Sequence, residues 1–248
     1  NQLHCTRFHR REQPRLEEER MPLKLYGVPA SQPVRAVMWV LAHKSLAYKL
    51  EITMPGSNKR KGSRTPEFLA MNPAGTVPTI DDDGFYLAES HAILAYLCDK
   101  HGWSDLYPRD LQQRALIDQY LHWHHRNARE ITLRKFAPIV RTDLKIPKEL
   151  ILQGDKVVGG IMRHLDDGLA KSKFIIGDSL TIADFSAYCE VGQCQQKICD
   201  LWNFDDYPNI CRWMKEMEAV SGYEQSHSGL MKFVPTILKM KKAFYAKL

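Results

Sequence analysis

Long apolar runs are missing from this chain. The longest uninterrupted ones, Ala36 to Ala42 and Ala92 to Cys98, are far below the roughly 18 to 20 residues that cross a bilayer. No membrane span is expected. Cysteine is also scarce, with 6 among 248 residues, and none forms a CxxC pair or the spacing of a zinc site. Cys189, Cys194 and Cys199 step by five along an expected helix and so do not converge on one ligand. Cys5, Cys98 and Cys211 complete the set, and all six read as free thiols in a reducing compartment. Repeats and low-complexity tracts are lacking too. Neither sign of charge dominates, since 35 Lys+Arg stand against 29 Asp+Glu, and the chain carries a formal net charge of +6. With 44% apolar and 26% charged residues, the composition is that of a globular protein and excludes a wholly disordered one.

The N-terminal stretch mixes Arg7, Arg10, Arg11 and Arg15 with Glu12, Glu17, Glu18 and Glu19 and has no apolar core. Residues 1–20 are therefore expected to be a disordered leader. From there to about residue 103 the pattern interleaves strands and helices. Strands are expected at Leu23 to Gly27, Tyr48 to Thr53, Val77 to Ile80 and Tyr86 to Ala88; helices at Pro33 to Lys44, Pro66 to Met71 and His91 to Lys100. That order implies a small α/β domain over residues 21–103. From Pro108 the strand signal disappears. Leu116, Tyr120, Trp123 and Asn127 recur at helical spacing, as do Ile151 to Leu165, Ile182 to Val191 and Ile210 to Met217. An all-helical domain over 108–240 follows, with a basic tail at 241–248. Thr181-Ile182-Ala183-Asp184 reads as a capping box that starts one of these helices.

Three features of the first half converge on one edge of such a sheet. Ser31, in Pro29-Ala30-Ser31-Gln32-Pro33, lies where the first helix begins, beside unpaired backbone donors and the positive end of the dipole. It reads either as a plain N-cap or as a hydroxyl aimed at an anion. Val77-Pro78 is an X-Pro bond at which a cis peptide can form. Glu89-Ser90 precedes another helix, a place suited to a carboxylate or phosphate.

Ser31-Gln32-Pro33 with Arg35, Asn72-Pro73-x-Gly75-x-Val77-Pro78, Glu89-Ser90-x-Ala92-Ile93-x-x-Tyr96-Leu97 and Gly177-Asp178-x-Leu180-Thr181-Ile182-Ala183-Asp184-Phe185, taken in order, resemble the glutathione transferase family. The resemblance covers nearly all of residues 23–230, and the Ser-Gln-Pro turn is most similar to the theta class and its serine-type relatives. It implies a thioredoxin-like N-terminal domain that binds glutathione and a helical domain that supplies the electrophile pocket. It further implies that Ser31 activates the thiol and that Val77 with cis-Pro78 pairs with the cysteinyl backbone of glutathione. By the same resemblance Glu89 and Ser90 hold its γ-glutamyl end. Ser63 and Arg64 stand where theta enzymes carry a histidine, and Thr76 where they often carry a lysine. These three are then the remaining glutathione-binding positions, with Arg64 or Lys61 meeting the glycine carboxylate. Arg126 and Arg129 fall where the second domain lines the cleft.

The implied activity is conjugation of the glutathione thiolate to small hydrophobic electrophiles such as alkyl or benzylic halides or isothiocyanates, and possible reduction of organic hydroperoxides, by a cytosolic homodimer. The alternative is a non-catalytic binding or scaffold protein of the same fold. Ala246-Lys247-Leu248 is one substitution from a peroxisomal address.

Other motifs are weaker. Gly177-Asp178-Ser179-Leu180 spells a serine hydrolase motif, but no Asp-x-x-His follows Asp184, Asp200, Asp205 or Asp206. His122, His124 and His125 have Trp123 among them, which favours a packed helix, so no metal is expected. The basic stretches at Lys59 to Arg64 and Lys232 to Lys247 read as solvated faces, not as a nucleic-acid surface.

Overall fold

The computed structural model describes residues 22–247. The expected leader (1–20), Cys5 and the final residue of the Ala246-Lys247-Leu248 address lie outside them.

Strand β1 (Leu23–Gly27) buries Leu23, Leu25 and Gly27 and leaves Lys24 and Tyr26 half-exposed, the alternation of a strand with one covered face. It runs parallel to β2 (Tyr48–Ile52) and antiparallel to β3 (Thr79–Asp82), which pairs antiparallel with β4 (Phe85–Ala88). The order is β2-β1-β3-β4. Across the central pair Lys24 lies opposite Asp81 and donates to its carboxylate at 3.0 Å.

Helix α1 (Gln32–His43) connects β1 to β2, and every residue from Val34 to Leu41 is buried. A helix apolar all round has to be covered on both sides. Val34 of α1 packs against Gly27 of β1, and α9 (Ile182–Val191) and α11 (Tyr223–Tyr245) cover the helix from the second domain. Trp39, fully buried, sits in this second contact. Its ring is edge-on to Phe185, Tyr188, Tyr223 and His227 at 5.0 to 5.4 Å, and its Nε1 donates to the Ser221 carbonyl. The domains therefore share one continuous core.

Helices α2 (Pro66–Met71) and α3 (Ser90–His101) complete the first domain. The second is helical: α4 (Leu111–Arg126), α5 (Arg129–Ile131), a π-helical turn at Thr132–Phe136, α6 (Ala137–Val140), α7 (Lys148–Leu152), α8 (Gly154–Leu169), α9, α10 (Pro208–Glu218) and α11. This is a thioredoxin-like domain followed by an all-helical one, as expected. Three local differences matter. The third strand starts at Thr79, two residues later than expected, because Asn72 donates to the Thr76 carbonyl and to Thr79 Oγ1 and holds 76–78 as a loop. The 151–165 helix is two helices, broken at Gln153. Helix α11 continues to Tyr245, so residues 241–245 form its last turn.

The Thr181 capping box forms as the sequence indicates, with a wider role. Asp184, fully buried, accepts from Thr181 N and Oγ1, from Ile175 N and from Trp213 Nε1. One carboxylate thus pins a loop, a helix start and a core indole. In Asp184→Asn the amide nitrogen faces these donors, so we expect a loss of about 2 kcal/mol and a Tm lower by roughly 4 to 8 °C. Differential scanning calorimetry measures both.

Candidate active site

Ser31 occupies the N-cap position of α1 in extended conformation, yet its hydroxyl accepts no capping hydrogen bond. The turn is held by backbone instead: Ser31 N donates to the Val28 carbonyl and Arg35 N to the Ser31 carbonyl, both at 2.9 Å. Arg35, wholly buried, also donates to the Pro29, Ala30 and Cys189 carbonyls. Half-buried Ser31 lines a cavity of about 390 Å³ between the domains.

Two loops of the first domain border that cavity. Ser63 Oγ accepts from Gly56 N at 2.9 Å and donates to the Gly75 carbonyl at 2.7 Å, tying them together. Gly62 is obligatory here, because a Cβ would lie 2.0 Å from the Ser57 carbonyl oxygen. Fixed by this lock, Arg64 lines the cavity with Gly75, Thr76 and Val77. The Val77-Pro78 peptide is cis.

An adjoining hollow of about 180 Å³ shares Gln32, Thr76, Val77 and Arg129 with the first and extends past Pro78 to Glu89 and Ser90. Glu89 has φ +69°, a left-handed conformation that costs a non-glycine residue about 1 to 3 kcal/mol. It opens α3, whose first amides carry the positive end of the helix dipole.

The second domain closes the cleft. Leu133, Phe136, Ala137 and Val140 give the larger cavity an apolar wall, which the π-helical turn presents together with Arg141 and Leu144. Arg129 faces both hollows, with its Nη1 3.6 Å from Glu190. Glu190 is buried, which raises its carboxyl pKa, and it accepts from Thr132 N. His91 bonds Ser186 Oγ at 2.7 Å, and its ring stands 5.0 Å from that of His124. Burial pushes His91 down to about 4 and His124 well below its usual value, so both are neutral at pH 7.

The structure thus brings Ser31, Arg64, Thr76, Val77, Pro78, Glu89, Ser90 and Arg129 to one cleft. Three of the residues expected there do not line it. Lys61 is exposed and borders neither hollow. Ser63 is buried behind the loops it joins. Arg126 is exposed and lines neither hollow, because two residues after buried His124 the helix has turned about 200°. Arg129 reaches the cleft only because α4 ends and the chain bends at Asn127. Arg141 and the apolar wall carried no signal in the sequence, and Gln32 entered only as part of the Ser-Gln-Pro turn. The described cysteines are free thiols, and burial raises the pKa of each, so none supplies a ready thiolate. Among the described residues no group of three or more His, Cys, Asp or Glu is placed to hold a metal ion, and no helix is long and apolar enough to cross a membrane.

Comparison with known proteins agrees with this geometry. Residues 25–105 match the glutathione S-transferase N-terminal domain and 130–220 the C-terminal domain. The chain is 34% identical over 212 residues to glutathione S-transferase D7 of Drosophila melanogaster, covering 84% of this chain and 90% of that one. It is 32% identical over 222 residues to glutathione S-transferase theta-1 of Mus musculus, covering 86% and 90%. A delta-class glutathione transferase structure from Nilaparvata lugens superposes with a TM-score of 0.77 at 30% identity, covering 88% of this chain and 100% of its own. With both domain models matched in order and relatives above 30% identity along most of its length, the chain belongs to the glutathione S-transferase family and is a glutathione transferase.

Proposed function

We propose that Ser31 is the group that holds the glutathione sulfur as a thiolate for attack on a small apolar electrophile bound against the second domain. The observation that carries this reading is Ser31 itself, which stands at the start of α1, makes no side-chain cap bond and lines the cleft. A thiol with a pKa of about 8.5 is only a few per cent ionised at pH 7, and the thiolate is the nucleophile. A donor aimed at the sulfur therefore raises the reactive fraction. The thiol proton leaves to solvent, so Ser31 needs no His or Asp partner.

Glutathione is taken to lie with its cysteinyl backbone along Val77, beside the cis peptide. Its γ-glutamyl end then rests at Glu89 and Ser90, and its glycine carboxylate near Arg64. The strained Glu89 and the exposed amide end of α3 support the second placement. Support for the third comes from the lock that Ser63 provides behind Arg64. Arg64→Gln is expected to raise KM for glutathione about tenfold to a hundredfold with a much smaller change in kcat, the loss of one charged hydrogen bond. An unchanged KM in steady-state assays would remove Arg64 from the glutathione site.

The reading also takes a serine-type mechanism shared with theta and delta relatives, and a homodimer as the working unit. Exposed Phe85 and Tyr86 on edge strand β4 support association. Conjugation of benzylic halides by the purified chain, lost without glutathione, is the direct test.

A further inference from the structure

We propose that the electrophile suited to this cleft is amphipathic, an apolar body ending in a carboxylate, with the acid group held by Arg141 and Arg129. The inference rests on the proposed conjugation and adds a substrate class to it. The larger cavity is lined by three guanidinium-bearing residues, Arg64, Arg129 and Arg141, and by no Asp or Glu. Arg64 is assigned to glutathione, which leaves two cations on the electrophile side. They flank the apolar wall formed by Leu133, Phe136 and Val140.

Both cations have donors to spare. Arg141 is bound to Asp143 through Nε and Nη2 at 2.8 and 2.7 Å, leaving Nη1 without a bond to Asp143. That pair is open to solvent, with side-chain exposures of 31% and 49%, and Nη1 is left to take a second carboxylate without displacing Asp143. The Arg129 to Glu190 separation of 3.6 Å is outside ordinary hydrogen-bond range. A neutral body laid on the apolar wall dries Arg141 Nη1 and the Arg129 guanidinium without offering them a further acceptor, which is costly. A carboxylate at its far end supplies the acceptor, and arginine's planar fork suits it.

With 4-(bromomethyl)benzoate as probe, the thiolate sulfur donates an electron pair to the benzylic carbon and forms the C–S bond. The C–Br bond breaks and bromide leaves with its electrons. The neutral methyl ester of the same compound is the matched control. After subtracting the uncatalysed rates, kcat/KM for the acid should exceed that for the ester by about tenfold at low ionic strength. Raising the salt should shrink the preference, and Arg141→Gln should abolish most of it. Equal or lower kcat/KM for the acid, or an acid-to-ester ratio unchanged in Arg141→Gln, overturns the inference and leaves the glutathione reading standing.

Binding of unreactive 4-butylbenzoate and 4-butylbenzamide, measured by calorimetry with glutathione present, reads the same preference without turnover. Tighter acid binding that Arg141→Gln weakens supports the inference; equal binding overturns it. If neither bromide is conjugated, the proposed halide chemistry fails, and calorimetry alone decides the charge preference.

Discussion

Replacing Ser31 with alanine is expected to lower kcat about tenfold at pH 6.5, with the gap closing as the pH rises towards 9. Holding the thiol near pKa 6.5 instead of 8.5 requires about 2.7 kcal/mol of preference for the anion. One hydroxyl donor to a charged acceptor supplies about 1.5 to 3 kcal/mol, and the start of α1 another 0.3 to 1 kcal/mol. One serine is enough. At pH 6.5 its loss lowers the ionised fraction roughly fiftyfold, but a more basic thiolate is intrinsically the better nucleophile and recovers roughly eightfold of that. Poorer alignment of the sulfur brings the net effect to about tenfold. KM for glutathione should stay within about twofold, because the carboxylates and backbone of the tripeptide, not its sulfur, provide most of the binding contacts. The decisive measurement is the pH dependence of kcat/KM for the electrophile at saturating glutathione. The apparent pKa should rise by about two pH units in the variant. Identical pKa values in the two proteins would exclude Ser31 from thiolate stabilisation.

Much of this site was legible before the structure because its residues are tied to local backbone signals. Ser31 precedes a helix-starting proline, Val77 precedes Pro78, and Glu89-Ser90 open α3. Each signal is short-range, and the strand and helix pattern of the first domain, with hydrophobic period switching between 2 and 3.6, fixes which edge they share. The second domain was less legible. Its helices announce themselves by period, but the cleft wall depends on where α4 stops and on the π-helical turn at Thr132–Phe136. Nothing in Thr132-Leu133-Arg134-Lys135-Phe136 marks a π turn; packing places it, through the bond from Thr132 N to buried Glu190. Arg126 and Arg129 look equivalent in sequence, and the end of α4 at Asn127 separates an exposed cation from a cleft one. Ser63 shows the converse. It stands next to the residue that lines the cavity, and its own side chain is consumed in joining two loops.

Acid should open the contact between the domains well before it exhausts the carboxylates. Two histidines, His124 and His227, lie buried there without charge, and a third, His91, is half-buried and likewise neutral. His91 of α3 and His124 of α4 face each other beside α9, and His227 of α11 packs on Trp39 of α1. Burial, with Arg35 nearby, pushes His227 down to about 3, while His91 sits at about 4 and His124 well below its usual value. A histidine whose folded pKa is depressed contributes full stability above the unfolded value near 6.5 and loses it as pH falls towards the folded one. Each adds one proton on unfolding in that window, worth about 1.4 kcal/mol per pH unit.

Two buried carboxyls act in the opposite sense. Asp184 is raised to about 6 by burial, and Glu190 is raised as well, so both gain stability as the pH falls through their folded values. Three protons against at most two leave a net uptake of one to two. Stability should therefore fall by roughly 1.4 to 2.7 kcal/mol for each pH unit between 6 and 4. Urea unfolding at a series of pH values measures this slope directly. His227→Phe keeps the ring against Trp39 and removes one titrating group, so its slope should be shallower by about 1.4 kcal/mol per pH unit. A wild-type slope near zero across this range would mean that these histidines accept protons in the folded protein. An interdomain core that tolerates such charge would contradict the close aromatic packing around Trp39.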